Sequence, residues 1–136
     1  MFISLIKSLR LLSFLLSLLV SSASLGEQQI KIMLFGDSLM AGYGLTQSES
    51  LASELSNRFN TADILVKLIN ASVSGNTSSN GLARLDWSLG DKPDVLVLCL
   101  GANDMLRGIN PELTKENLSA MIVKIKENGA TVVFAG

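Results

Sequence analysis

Four short apolar runs, separated by helix-patterned stretches, constrain this chain more than any other feature. They are Ile30–Phe35 (IKIMLF), Ile64–Ile69 (ILVKLI), Val95–Leu100 (VLVLCL) and Thr131–Ala135 (TVVFA). Runs this short and this apolar read as strands buried on both faces. After the first run, Thr46-Gln47-Ser48-Glu49 fits a capping box, and Leu51, Leu55 and Phe59 follow at helical spacing. This predicts a helix from about Ser48 to Asn60. Leu82, Leu85 and Leu89 mark a second, short helix that closes near Gly90. Asn110-Pro111-Glu112 opens a third with a capping Asn, a first-turn Pro and an acid at the positive end. Leu118, Ile122, Val123 and Ile125 give that helix its apolar face, and Asn128-Gly129 stops it.

The order is β-α-β-α-β-α-β with no hairpin signal, which demands a parallel sheet with helices on both faces. Crossovers in such a sheet are right-handed, and ligands bind beyond the carboxyl ends of the strands. The fourth run reaches the end of the sequence without a helix or strand to cover it. A bare parallel edge exposes backbone donors and apolar side chains. The expectation is an N-terminal portion of a longer domain, with a genuine short four-strand domain as the alternative.

The first residues are of another kind. Lys7 and Arg10 precede Leu11–Val20 (LLSFLLSLLV), and Ser21-Ser22-Ala23 follows. A basic start, a short apolar centre and a small-residue exit make residues 1–23 a secretory signal peptide and 24–136 the mature domain. The alternative, a membrane anchor, needs about 20 apolar residues. The expected location is therefore periplasmic or secreted, with no stable span after cleavage. Of the 136 residues 48% are hydrophobic and 17% charged, so disorder is excluded as the main state. A net charge of −1 offers no basic face for nucleic acid. Cys99 is the single cysteine, which excludes an internal disulfide and a cysteine-rich zinc site. Inside its apolar run it reads as a buried, inert thiol. Trp87 reads as partly buried packing. Histidine is absent, although serine hydrolases usually take their base from an imidazole.

Three polar clusters follow three of the strands and open on one sheet edge. Gly36-Asp37-Ser38-Leu39 puts a hydroxyl at the mouth of the sheet, and the Ser38 N–H is free to help hold an oxyanion. Asp37-Ser38 capping a turn is the plainer reading. Gly75, between Ser74 and Asn76, lets the backbone approach a ligand and present its N–H, or it is an ordinary loop glycine. Asn103 carries an amide that can donate to a developing negative oxygen, while Asn-Asp after a strand also serves turns. Asp104 is placed to support its loop by hydrogen bonding. Met40, Leu45, Met105 and Leu106 flank the clusters and suit either an acyl groove or ordinary packing. The run from Gly36 to Gly44 lacks the Lys-Ser/Thr ending of a Walker-type phosphate loop.

GDSLMAGYGL at 36–45, SGNTSSNGLARL at 74–85 and GANDMLRGINP at 101–111 resemble the first three motif blocks of the SGNH (GDSL) hydrolases. The flanks are most similar to the periplasmic multifunctional branch of thioesterases, lysophospholipases and arylesterases. The resemblance implies a flavodoxin-like three-layer α/β/α sandwich, here C-terminally incomplete with four strands. It implies Ser38 as nucleophile, and an oxyanion hole made of the Ser38 N–H, the Gly75 N–H and the Asn103 side chain. Asp37, Leu39, Asp104 and Met105 are expected to contact substrate. The substrates implied are small acyl esters and thioesters, with no metal or organic cofactor. The family's fourth block, D-x-x-H, supplies its aspartate and histidine base and is not in this sequence. In one triad enzyme losing the histidine costs about 10⁶ in turnover. Oxyanion donors and binding alone leave roughly 10³–10⁴ over water. The chain as given is therefore expected to be close to inactive. The alternatives are a non-catalytic acyl- or lipid-binding remnant of the same fold, and a nucleotide- or flavin-binding module in the same crevice.

Overall fold

A computed structural model describes residues 29–136; the expected signal peptide lies outside the described residues. Four strands form one parallel sheet: β1 (Ile30–Gly36), β2 (Val66–Asn70), β3 (Val95–Cys99) and β4 (Thr131–Phe134). Their spatial order is β2-β1-β3-β4. Leu34 pairs with Asn70, Gly36 with Cys99 and Leu98 with Phe134, so the carboxyl ends lie nearly level. The helices are α1 (Ser38–Ala41), α2 (Leu51–Thr61), α3 (Ser78–Leu89), α4 (Ala102–Leu106) and α5 (Pro111–Glu127). The chain goes from β1 to one neighbour and then crosses back over β1 to the other. Right-handed crossovers then put α2 and α3 on opposite faces, which makes three layers.

One face carries the core. Met33, Phe35, Leu96 and Leu98 from the sheet close against Leu85 and Leu89 of α3 and Met121 and Ile125 of α5. Each such side chain contributes about 1.5–3 kcal/mol on full burial. The expectation of strands buried on both faces holds for the end of β1, where Met33, Leu34 and Phe35 are all buried. It fails for β3, whose Leu96 and Leu98 are buried while Val95, Val97 and Cys99 are only partly covered. The second face has α2 packed beside β2. Val133 and Phe134 of β4 are exposed.

Other departures have local causes. The Thr46–Glu49 box forms, with Glu49 Oε2 accepting from the Thr46 N–H at 3.2 Å and its hydroxyl at 2.7 Å, but it closes a 3₁₀ turn over Gln47–Glu49. Ser50 is extended there, and its hydroxyl caps α2 by accepting from the Ser53 N–H at 3.2 Å. Ile64 and Leu65 fall outside β2 and are exposed, because β1 begins its pairing at Val66. Trp87 is 85% exposed, which overturns its reading as packing: it points outward from α3, away from Leu85 and Leu89. Among the described residues no helix is long and apolar enough to cross a membrane.

Candidate active site

The site begins with the end of β1. A Cβ on Gly36 would stand 2.6 Å from the Cys99 carbonyl oxygen of the paired strand and 2.6 Å from Met40 Cγ, so no other residue fits. The chain turns at once into α1, whose first residue is Ser38 and whose N-cap is Asp37. Asp37 Oδ1 accepts from the Leu39 N–H at 3.1 Å. The Ser38 carbonyl accepts from the N–H groups of Gly42 at 3.1 Å and Tyr43 at 3.0 Å, which anchors the turn. The Ser38 N–H donates to nothing among the described residues.

The loop after β2 runs alongside. Val73 donates its N–H to the Gly36 carbonyl at 3.0 Å and so fastens this loop to the end of β1. Gly75 sits at φ +80, a region that favours glycine. Its carbonyl accepts from Arg107 Nη2 at 2.9 Å, while its N–H has no partner among the described residues. The third loop follows β3, where Gly101 at φ +125 turns the chain into α4. Asn103 lies on α4, and its Nδ2 donates to the Asn76 carbonyl at 3.0 Å and to Asp37 Oδ2 at 3.4 Å. One carboxamide thus touches the residue before Ser38 and the residue after Gly75. The three loops meet at that amide, and the N–H groups of Ser38 and Gly75, each next in sequence to one of its acceptors, are unengaged among the described residues.

Two expected contact residues are placed otherwise. Asp37 and Asp104 are each 1% exposed, so neither presents a surface to a substrate. Asp37 spends its oxygens on Leu39 and Asn103. Asp104 accepts from the Ser78 N–H at 2.7 Å, the Ser78 hydroxyl and Thr114 Oγ1 at 3.1 Å. Both carboxylates are spent on neighbouring protein groups, and Asp104 bonds its loop to α3 and α5. Met40 is buried in packing beneath α1. Leu39 and Met105 are 71% and 76% exposed at the rim, with Leu45 and Leu106 also exposed. Met105 borders an open groove of about 580 Å³ that Gly101, Gly108, Ile109 and Thr114 also line. The Cys99 thiol is only partly covered; that burial, and then the Asp37 carboxylate, push it above its ordinary pKa. Among the described residues no three His, Cys, Asp or Glu side chains are grouped to hold a metal.

Sequence reasoning missed Arg84 and Arg107. Each reaches a carbonyl or amide of a neighbouring loop, a role that no spacing rule reveals. The one available signal for Arg84 was a cation beside the Leu82–Leu85–Leu89 stripe of α3.

A parallel sheet in this strand order, with a serine heading the turn after β1 and a glycine and an asparagine in the loops after β2 and β3, is the arrangement of a GDSL-type acylhydrolase. The profile of the GDSL-like Lipase/Acylhydrolase family matches residues 34–136, and the chain belongs to that family. It is 44% identical over 127 residues to an arylesterase of Vibrio mimicus, covering 93% of this chain and 62% of that one. It is 35% identical over 100 residues to thioesterase 1/protease 1/lysophospholipase L1 of Escherichia coli strain K12, covering 73% and 47%. Among solved structures, that of TesA superposes with a TM-score of 0.76 at 38% identity, covering 78% of this chain and 59% of the other. The chain thus spans about half to three-fifths of the length of these relatives.

Proposed function

We propose that this chain carries the nucleophile and the oxyanion site of a serine hydrolase for acyl esters and thioesters. The carrying observation is the Asn103 amide, which donates to Asp37 Oδ2 beside Ser38 and to the Asn76 carbonyl beside Gly75. Ser38 Oγ attacks the acyl carbon. The carbonyl oxygen takes up negative charge and is met by the Ser38 N–H, the Gly75 N–H and the Asn103 side chain. Asn103 gives up its longer bond, to Asp37, to reach that oxygen. Leu39, Met105 and Leu106 at the rim receive the apolar part of the acyl group. Aryl esters, thioesters and lysophospholipids are the substrate classes, in line with the names of the relatives. The workplace is the periplasm or the exterior, reached through a signal peptide at residues 1–23.

Proton removal from Ser38 needs a base, and the sequence holds no histidine. Turnover by this chain alone is therefore near background, and soluble imidazole substitutes for the missing side chain. Hydrolysis of a p-nitrophenyl acyl ester tests this against Ser38→Ala over an imidazole series. The expected result is a rate that rises with imidazole faster for the native chain than for the variant. Equal rates at every concentration overturn the reading in favour of a non-catalytic acyl- or lipid-binding protein of the same fold.

A further inference from the structure

Arg84 is a guanidinium inside the site's framework with no acid on it. Its Nη1 donates to the Ala71 carbonyl at 2.6 Å, its Nη2 to the Gly36 carbonyl at 3.2 Å and its Nε to Asn76 Oδ1 at 2.7 Å. The plane lies over the Phe35 ring, with Cζ 3.9 Å from the centroid. Among the described residues Arg84 forms no ion pair with a carboxylate; the pairs present are Arg58–Glu54, Lys115–Glu112 and Lys124–Asp86. Partial burial lowers its pKa, yet a guanidinium stays charged in any working range.

We propose that Arg84 is a positioning residue of the oxyanion site. From α3 it ties the end of β1 to the loop after β2, and so sets the Ser38 and Gly75 N–H groups toward one centre. Its three acceptors come from β1, from the start of that loop and from the residue after Gly75, and its planar fork meets all three at once. A lysine ammonium is a point donor and cannot hold the same fan of acceptors. Among the described residues its contacts are dipoles and a ring face, so no carboxylate touching the guanidinium cancels its field there, and that field offsets the Asp37 carboxylate on Asn103. The proposal rests on the hydrolase reading above.

Phenylboronic acid tests both and separates them. The Ser38 oxygen bonds to boron, the serine proton goes to buffer, and a boronate anion remains whose oxygen occupies the oxyanion position. Adduct formation therefore rises with pH until the free boronic acid itself takes up hydroxide, and titration over a pH series below that range, at a boronic acid concentration that saturates the native chain there, gives a midpoint. In Arg84→Met the affinity is expected to fall about tenfold, moving the midpoint up by about one pH unit, at temperatures below the variant's thermal transition. Arg84→Lys is expected to fall between the two. A merely structural arginine lowers the thermal transition and leaves the midpoint of the folded chain unchanged; that result overturns the proposal. Where Arg84→Met does not fold, Arg84→Lys decides by the same midpoint, and failure of both to fold marks Arg84 as structural and also overturns it. Adduct formation that is absent in the native chain, or equal in Ser38→Ala, sinks the hydrolase reading itself.

Discussion

Gly36 and Asp104 show how single residues hold the three loops in place. Gly36 faces main-chain oxygen of β3, which cannot move aside without breaking the strand pairing. Gly36→Ala is expected to cost about 1–3 kcal/mol, read from the urea midpoint at unchanged slope. Asp104 joins α4 to α3 and α5 through Ser78 and Thr114. Bonds to a charged acceptor are the stronger kind, and Asp104→Asn also turns one acceptor oxygen into a donor facing Ser78 or Thr114. A loss of about 3 kcal/mol is expected by the same measurement. Cys99 gives a pH test. Its folded thiol is held above the unfolded value, so the folded state keeps its proton longer. The resulting stability is present below the unfolded pKa and is lost as pH rises through the folded one. Iodoacetamide at about pH 8 is accordingly expected to label the folded chain more slowly than the urea-unfolded chain, and equal rates would contradict this. Ser38, Gly75 and Asn103 were legible as residue types at the ends of apolar runs. The duties of Asp37, Arg84 and Arg107 were not, because each depends on a partner distant in sequence.

Elements were legible where their signals are local. In α5, Asn110 Oδ1 accepts from the Glu112 N–H at 3.0 Å, Pro111 fills the first turn, and Gly129 follows the end at φ +90. Asn110→Ala is expected to lower stability by about 1 kcal/mol, seen as a lower thermal transition. By contrast α1 and α4 are too short for an apolar period to register; their existence follows from Asp37 and Gly101 capping a turn that the sheet edge already imposes. The box at Thr46–Glu49 carried correct chemistry on the wrong element, since a box fits a 3₁₀ turn as well as an α-helix. Ser50 then had to start the helix. The apolar run of β3 could not disclose its uneven covering, because the same residues serve a strand covered on one face or on both.

At the scale of the molecule, β4 pairs with β3 through Val95–Thr131 to Leu98–Phe134, which levels the carboxyl ends on which the three loops sit. The alternation of apolar runs with helical periods was enough, by itself, to determine a parallel α/β sheet with three polar clusters on one edge, because strand length, helix period and crossover hand are local or chiral properties. Only the tertiary structure decided which polar groups are spent on one another and which stay free. Whether a buried carboxylate faces a substrate or a neighbouring amide depends on contacts between residues far apart in the chain, such as Asn103 with Asp37 and Arg84 with Gly36, and no local pattern encodes those distances.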